Sequence, residues 1–177
     1  MKRQNLIWKP VLFGIVFFTG LIGLTLAPVE EVAIDTKETV RYEAIVLRVI
    51  DGDTLEVSRE IQKEDNKEER IRLLGIDAPE VGKCFSQEAE DELSRLVSSE
   101  RAARIILEGD SLNENADQYG RSLRYVYLDD GTLVNAELLK YGFARHLSWF
   151  PIEMNEYFAE LEAEAKAKNL GLWSACK

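Results

Sequence analysis

The chain has 177 residues and a mass of 20.2 kDa, room for one ordinary domain with an appendage and too little for a barrel enzyme of about 250 residues. Its 46% apolar content supports a packed core, while 22 basic against 32 acidic residues give a formal charge of −10, which argues against a protein that coats DNA by bulk positive charge. One histidine rules out chemistry that needs a histidine pair, and two cysteines cannot build a four-cysteine zinc site.

Residues 1–9 carry Lys2, Arg3 and Lys9 and no acid, and residues 11–27 follow without a charge. A basic flank before an apolar run is the pattern of a secretory signal or a signal anchor. The run sits at the lower edge of the roughly 17–25 residues that span a bilayer. Cleavage after Ala27 would leave Pro28 at the new N-terminus, so an uncleaved hydrophobic helix and a cleaved signal both stay open. Either way the remainder is expected outside the cytoplasm, membrane-anchored or secreted. Residues 1–28 are thus a signal or anchor, 29–38 a polar, acidic linker, and 39–177 the folded domain. Removing residues 1–28 takes away three basic residues and no acidic ones, which leaves 19 against 32 and a charge of −13.

Residues 41–50 are rich in β-branched side chains and read as a strand. Asp51-Gly52 signals a turn, 54–58 the return strand, and 59–69 a charged, solvated hairpin loop. Residues 70–76 make a third strand, which Pro79 keeps from continuing. Ser86 is placed to cap a helix on which Ala89, Leu93, Leu96 and Val97 recur at helical spacing. Strands follow over 103–107 and 123–128, with a turn at Asp130-Gly131. A short helix over 134–141 stops at Gly142. A longer helix over 153–168 presents Met154, Tyr157, Leu161 and Ala165 on one face, with Gly171 beyond it. The order βββαββαα predicts an α+β, mostly β domain: a five-stranded barrel of the OB kind with three helices, preceded by the N-terminal hydrophobic helix.

Four clusters carry residues suited to chemistry. Asp51-Gly52-Asp53-Thr54 is either a plain hairpin turn or a hard-cation site, in which the glycine bends the chain so that Asp53 points inward. In the second, Arg72 interrupts an apolar strand and is followed by Asp77-Ala78-Pro79-Glu80, two carboxylates on a stiff bend. The third, Asp117-Gln118-Tyr119-Gly120-Arg121, is a tight turn that can offer Arg121 to an anion and Tyr119 to a sugar or base. The fourth is the pair Cys84 and Cys176, expected as one disulfide in an exported chain. His146 stands alone and reads as structural rather than catalytic. Of Trp149 and Phe150, one is expected in the core and the other is open to a rim on which bases stack.

Taken in order, Val49-Ile50-Asp51-Gly52-Asp53-Thr54, Arg72-Leu73-Leu74-Gly75-Ile76-Asp77-Ala78-Pro79-Glu80, Tyr119-Gly120-Arg121, Val134-Asn135 and Gly171-Leu172-Trp173 resemble the staphylococcal-nuclease-like (thermonuclease) family over about residues 41–176. The resemblance implies an OB-fold nuclease that hydrolyses phosphodiesters of DNA and RNA with calcium, leaving a 3′-phosphate and a 5′-hydroxyl. It assigns Asp53, Asp77 and the Ala78 backbone carbonyl to Ca2+, Glu80 to the general base, Arg72 and Arg121 to the phosphate, and Tyr119 to the nucleotide. Asp51 reads as ordering the turn rather than as a ligand. The chemistry is coherent: charge grows on the phosphate oxygens during attack, where two arginine forks and a cation can meet it. Departures are a short loop after Glu80, Gln118 where a lysine is common, Ser148, Trp149 and Phe150 where tyrosines occur, and the acidic exported part. They predict weaker binding with a strong dependence on calcium and salt. A monomer is expected. The alternative readings are a catalytically inactive OB-fold module that binds nucleic acid or protein, and a surface protein whose domain is a spacer.

Overall fold

Strand β1 (Arg41–Asp51) is long enough to pair on both edges, with β2 (Thr54–Ile61) on one side and β5 (Arg104–Glu108) on the other. Leu47 and Ile50 have no partner residue opposite them in the β1–β2 ladder. Such bulges bend and twist a strand, which lets a short sheet curl. β3 (Asp65–Leu73) pairs antiparallel with β2, and β6 (Ser122–Tyr127) pairs antiparallel with β5. A parallel pairing of β3 with β6 closes the five strands into a barrel in the order β1-β2-β3-β6-β5. This computed structural model describes residues 39–61, 65–98 and 104–177. The expected N-terminal helix over 11–27 and the linker over 29–38 lie outside the described residues. Among the described residues no helix is long and apolar enough to cross a membrane.

The barrel interior follows from period-two alternation. Leu55 and Val57 of β2, Ile71 and Leu73 of β3, and Ile105 and Leu107 of β5 are fully buried. Arg72, between two core residues, therefore faces the other way. Helix α1 (Ser86–Val97) covers the barrel with Ala89, Leu93, Leu96 and Val97, the four positions its spacing predicts. Helices α2 (Val134–Lys140) and α3 (Asn155–Ala167) pack on each other and on the strands, and α4 (Leu172–Ala175) ends the chain.

Several expectations are corrected. Residues 59–61 and 65–69 are not a loop but paired strand ends, with Ile61 opposite Asp65 and Arg59 opposite Lys67. Charged residues dominate both stretches, so no apolar alternation in the sequence reveals the pairing. The third strand stops at Leu73, because Gly75 adopts φ +77°, and a short strand β4 (Ile76–Asp77) then pairs with β7 (Arg145–His146). Ser86 begins α1 rather than capping it; Phe85, at φ 70°, precedes the helix and stacks on Phe143. On α3, Tyr157 is 49% exposed and Phe158 is buried in its place, edge-on to Tyr125 and His146. Among the described residues the expected three helices become four, since α4 is a single turn too short to show periodicity.

Candidate active site

The turn between β1 and β2 is tied down by its own side chains. The Asp53 amide donates to Asp51 Oδ1 at 3.0 Å, and Thr54 Oγ1 donates to Asp53 Oδ1 at 3.1 Å. Gly52 sits so close beneath the next segment that a Cβ there would lie 2.7 Å from the Cβ atoms of Ala78 and Ala89. That close approach lets the Ala78 amide reach Asp53 Oδ2 at 2.7 Å, joining two loops 25 residues apart.

Arg72 is the hinge of the arrangement. Its Nη1 donates to the carbonyls of Leu73 and Ile76 at 2.8 and 2.6 Å, which holds the bend between β3 and β4. Its Nη2 lies 3.1 Å from both Asp53 Oδ2 and Asp77 Oδ1. Arg121 is carried beside it by the parallel β3–β6 register, which sets Ile71 opposite Ser122. Asp117 orients Arg121: its Oδ2 accepts from Nε at 2.8 Å, and its Oδ1 accepts from the amides of Tyr119 and Arg121. Burial pushes the Asp117 carboxyl up, but the hydrogen bonds from Arg121 and Tyr119 outweigh it and hold it below its usual range. Arg121 Nη1 also reaches Thr54 Oγ1 at 3.5 Å. Asp117 and Thr54 lay inside clusters legible in the sequence without a role there. The Asp-x-Tyr spacing of an Asx turn was the available signal for the first.

These groups line one cavity of about 160 Å³: Asp51, Asp53, Arg72, Asp77, Glu80 and Arg121, with Ala78 and Pro79 in its wall. Glu80 is exposed at its edge. Arg72 and Arg121 also line a larger, adjacent groove of about 530 Å³, whose wall includes Leu74, Leu123, Leu147 and Phe150. Tyr119 and Trp149 stand on its rim, each 75% exposed. Phe150 packs against the core while Trp149 does not, which divides that pair as core and rim. His146 is buried against Phe158, its amide donates to Glu162, and it lines neither space.

Asp53 is the electrostatic outlier. Burial raises its carboxyl to about 6; Arg72 and the Ala78 amide oppose this, and the Asp51 and Asp77 carboxylates add to it. Among the described residues no three acidic, histidine or cysteine side chains converge as a ready-made metal cluster. The donor set is nevertheless all oxygen, with one carboxylate buried against its own preference for water. That chemistry fits a hard divalent cation completed by backbone carbonyl and water oxygens. Next to the site, Cys84 Sγ and Cys176 Sγ are 2.08 Å apart, with Cα atoms at 5.8 Å.

Residues 70–175 match the family model described as Staphylococcal nuclease homologue. Over 166 residues the chain is 32% identical to an uncharacterized protein of Methanocaldococcus jannaschii, covering 80% of this chain and 75% of that one. Over 136 residues it is 34% identical to a thermonuclease of Staphylococcus intermedius, covering 73% of this chain and 74% of that one. It is also 30% identical over 143 residues to the endonuclease YhcR of Bacillus subtilis, covering 75% of this chain and 11% of that much longer protein.

Proposed function

The chain belongs to the staphylococcal nuclease homologue family, and from that premise we propose that it is a calcium-dependent nuclease hydrolysing phosphodiesters of DNA and RNA to 3′-phosphate products. The observation that carries the reading is the convergence of Asp53, Arg72, Asp77, Glu80 and Arg121, from four separate segments, on one small cavity. The relatives named as thermonuclease and endonuclease support the reaction class.

In this reading a polynucleotide places a nucleoside in the apolar groove, against Tyr119 and Trp149, and its phosphate in the adjoining cavity. Glu80 accepts a proton from a water as the water oxygen bonds to phosphorus. The bond from phosphorus to the 5′ oxygen breaks, that oxygen becomes a hydroxyl with a proton taken from solvent, and Glu80 returns its own proton to solvent. Arg72 and Arg121 donate to the phosphate oxygens, which gain charge as the fifth bond forms, so their hold is stronger in the transition state than before it. Arg121 is pre-oriented by Asp117 and Arg72 by the carbonyls of Leu73 and Ile76, so little reorganisation accompanies the reaction. Asp53, Asp77 and the Ala78 carbonyl would hold the Ca2+, which when bound supplies Lewis-acid polarisation of a phosphate oxygen.

The domain is read as extracytoplasmic, anchored through residues 11–27 or released by cleavage, and Cys84–Cys176 as a disulfide suited to that setting. The deciding assay incubates the full chain with single-stranded DNA and with RNA, in calcium and in chelator. Cleavage that stops in chelator, and falls about 10²–10⁴-fold in Glu80→Gln, is expected. Binding without cleavage would replace the enzyme with a binding module.

A further inference from the structure

The reaction cavity shares lining residues with three other spaces, one of them a pocket beside Tyr119 and Ser122 that it meets at Arg121 alone. It meets the apolar groove at Arg72 and Arg121, and through a different wall, residues 77–80, it meets a second cavity of about 350 Å³. That second cavity is also lined by Lys83 and Arg145, with Cys84 and Cys176.

Exposed cations without an ion pair among the described residues include Lys67 and Lys177, but Lys83 and Arg145 are two that share a cavity with Glu80. In a chain of formal charge −10, Arg41, Arg48, Arg70, Arg95, Arg104 and Lys140 each lie within 4 Å of a carboxylate. Lys83 and Arg145 are exposed and make no ion pair among the described residues. The Arg145 guanidinium lies 4.6 Å over the Trp173 ring, which steadies it without neutralising it. The backbones of Lys83 and Arg145 are also tied to the segment that carries Glu80. Arg145 is opposite Asp77 in the β4–β7 pair, and Lys83 donates its amide to the Glu80 carbonyl at 2.9 Å, one residue before a cysteine bridged to Cys176.

A polynucleotide has a phosphate on each side of the one being cut. The groove accounts for the chain on one side only. On the other side an acidic protein must supply local positive charge to hold the strand. We propose that Lys83 and Arg145 form a second subsite, which binds the backbone phosphate next to the scissile one on the side away from the apolar groove. The inference rests on the phosphodiesterase reading above and extends it from a single phosphodiester to a strand.

The test uses the full chain and its Lys83→Gln, Arg145→Gln and doubly substituted forms. Substrates are a dinucleoside monophosphate, which has no neighbouring phosphate, and an oligothymidylate of about eight nucleotides. The ratio of kcat/KM on the oligonucleotide to that on the dinucleotide is expected to fall about tenfold in the double variant, carried by KM. Oligonucleotide binding, followed by fluorescence anisotropy in chelator at low ionic strength, should lose about 0.7 of its log–log salt slope per cation removed, and Arg145→Lys should restore its share. An unchanged ratio with an unchanged slope overturns the subsite. If the native chain binds the oligonucleotide without cutting it, the nuclease reading fails while the slope still decides the subsite. If it binds none, both fail.

Discussion

Asp53 shows how a single side chain can serve a site at the expense of the fold. Its carboxyl is raised from 3.8 to about 6, chiefly by burial. A group whose pKa is higher folded than unfolded favours the folded state below its unfolded pKa, and that favour is lost as pH rises through the folded pKa. Without metal, Asp53 therefore weakens the fold at neutral pH by about 2–3 kcal/mol relative to about pH 3. Asp53→Asn should melt higher than the native protein in chelator near pH 8, with the advantage shrinking between about pH 6 and 4. Coinciding melting curves across that range would remove the cost assigned to Asp53. Arg121 makes a different prediction. It is half-buried and held by Asp117, away from the barrel core, so Arg121→Ala should leave the circular dichroism and melting midpoint near native. Its kcat should fall about 10²–10³-fold, equivalent to about 3–4 kcal/mol of transition-state stabilisation. Activity near that of the native protein would take Arg121 out of the mechanism.

Among the elements, α2 matters for what it fastens. Asn135, fully buried in its first turn, accepts from the Val126 amide at 2.9 Å and donates to the Leu74 carbonyl at 2.9 Å. It thereby pins β6 to the bend after β3, where the parallel ladder that brings Arg72 and Arg121 together ends. Asn135→Ala strands a buried donor and a buried acceptor and should cost about 2–4 kcal/mol in urea denaturation. An exchange-protected Val126 amide in a variant of undiminished stability would contradict this. The same bend ends the third strand at Leu73, three residues before the sequence pattern predicts. Apolar residues continue through Ile76, but Gly75 takes φ +77° against Ile152 and Phe158, and a Cβ there would come within 2.4 Å of Ile152 Cδ1. Propensity and pattern are blind to a contact made from 77 residues away, just as they are to the pairing of β4 with β7.

For the molecule as a whole, the Cys84–Cys176 bridge joins the loop after Glu80 to the C-terminal end, across 92 residues of sequence. In the chain-entropy model a closed loop of that size stabilises by about 4–5 kcal/mol, mainly by restricting the unfolded chain. Replacing both cysteines with serine should lower the denaturation midpoint markedly, and a thiol titration of the unreduced, unfolded native chain should find no reactive thiol. Two reactive thiols would refute the bridge. Much at this scale was legible in advance. The amphipathic face of α1, the alternation that buries Ile71 and Leu73 around Arg72, and the turn signals at Asp51-Gly52 and Gly142 are local, because they arise from the geometry of one helix or one strand. They determined the number of barrel strands, whereas the expected cysteine pairing rests on reading the chain as exported, and the candidate phosphate residues rest on four short clusters and the family they resemble. Tertiary structure alone decided that Arg72 and Arg121 share a wall, that Phe158 rather than Tyr157 enters the core, that Trp149 stands on a rim, and that Lys83 and Arg145 flank a cavity next to Glu80. Those outcomes depend on which distant strands pair and in what register, and register is set by the packing of the whole barrel rather than by any one segment of the chain.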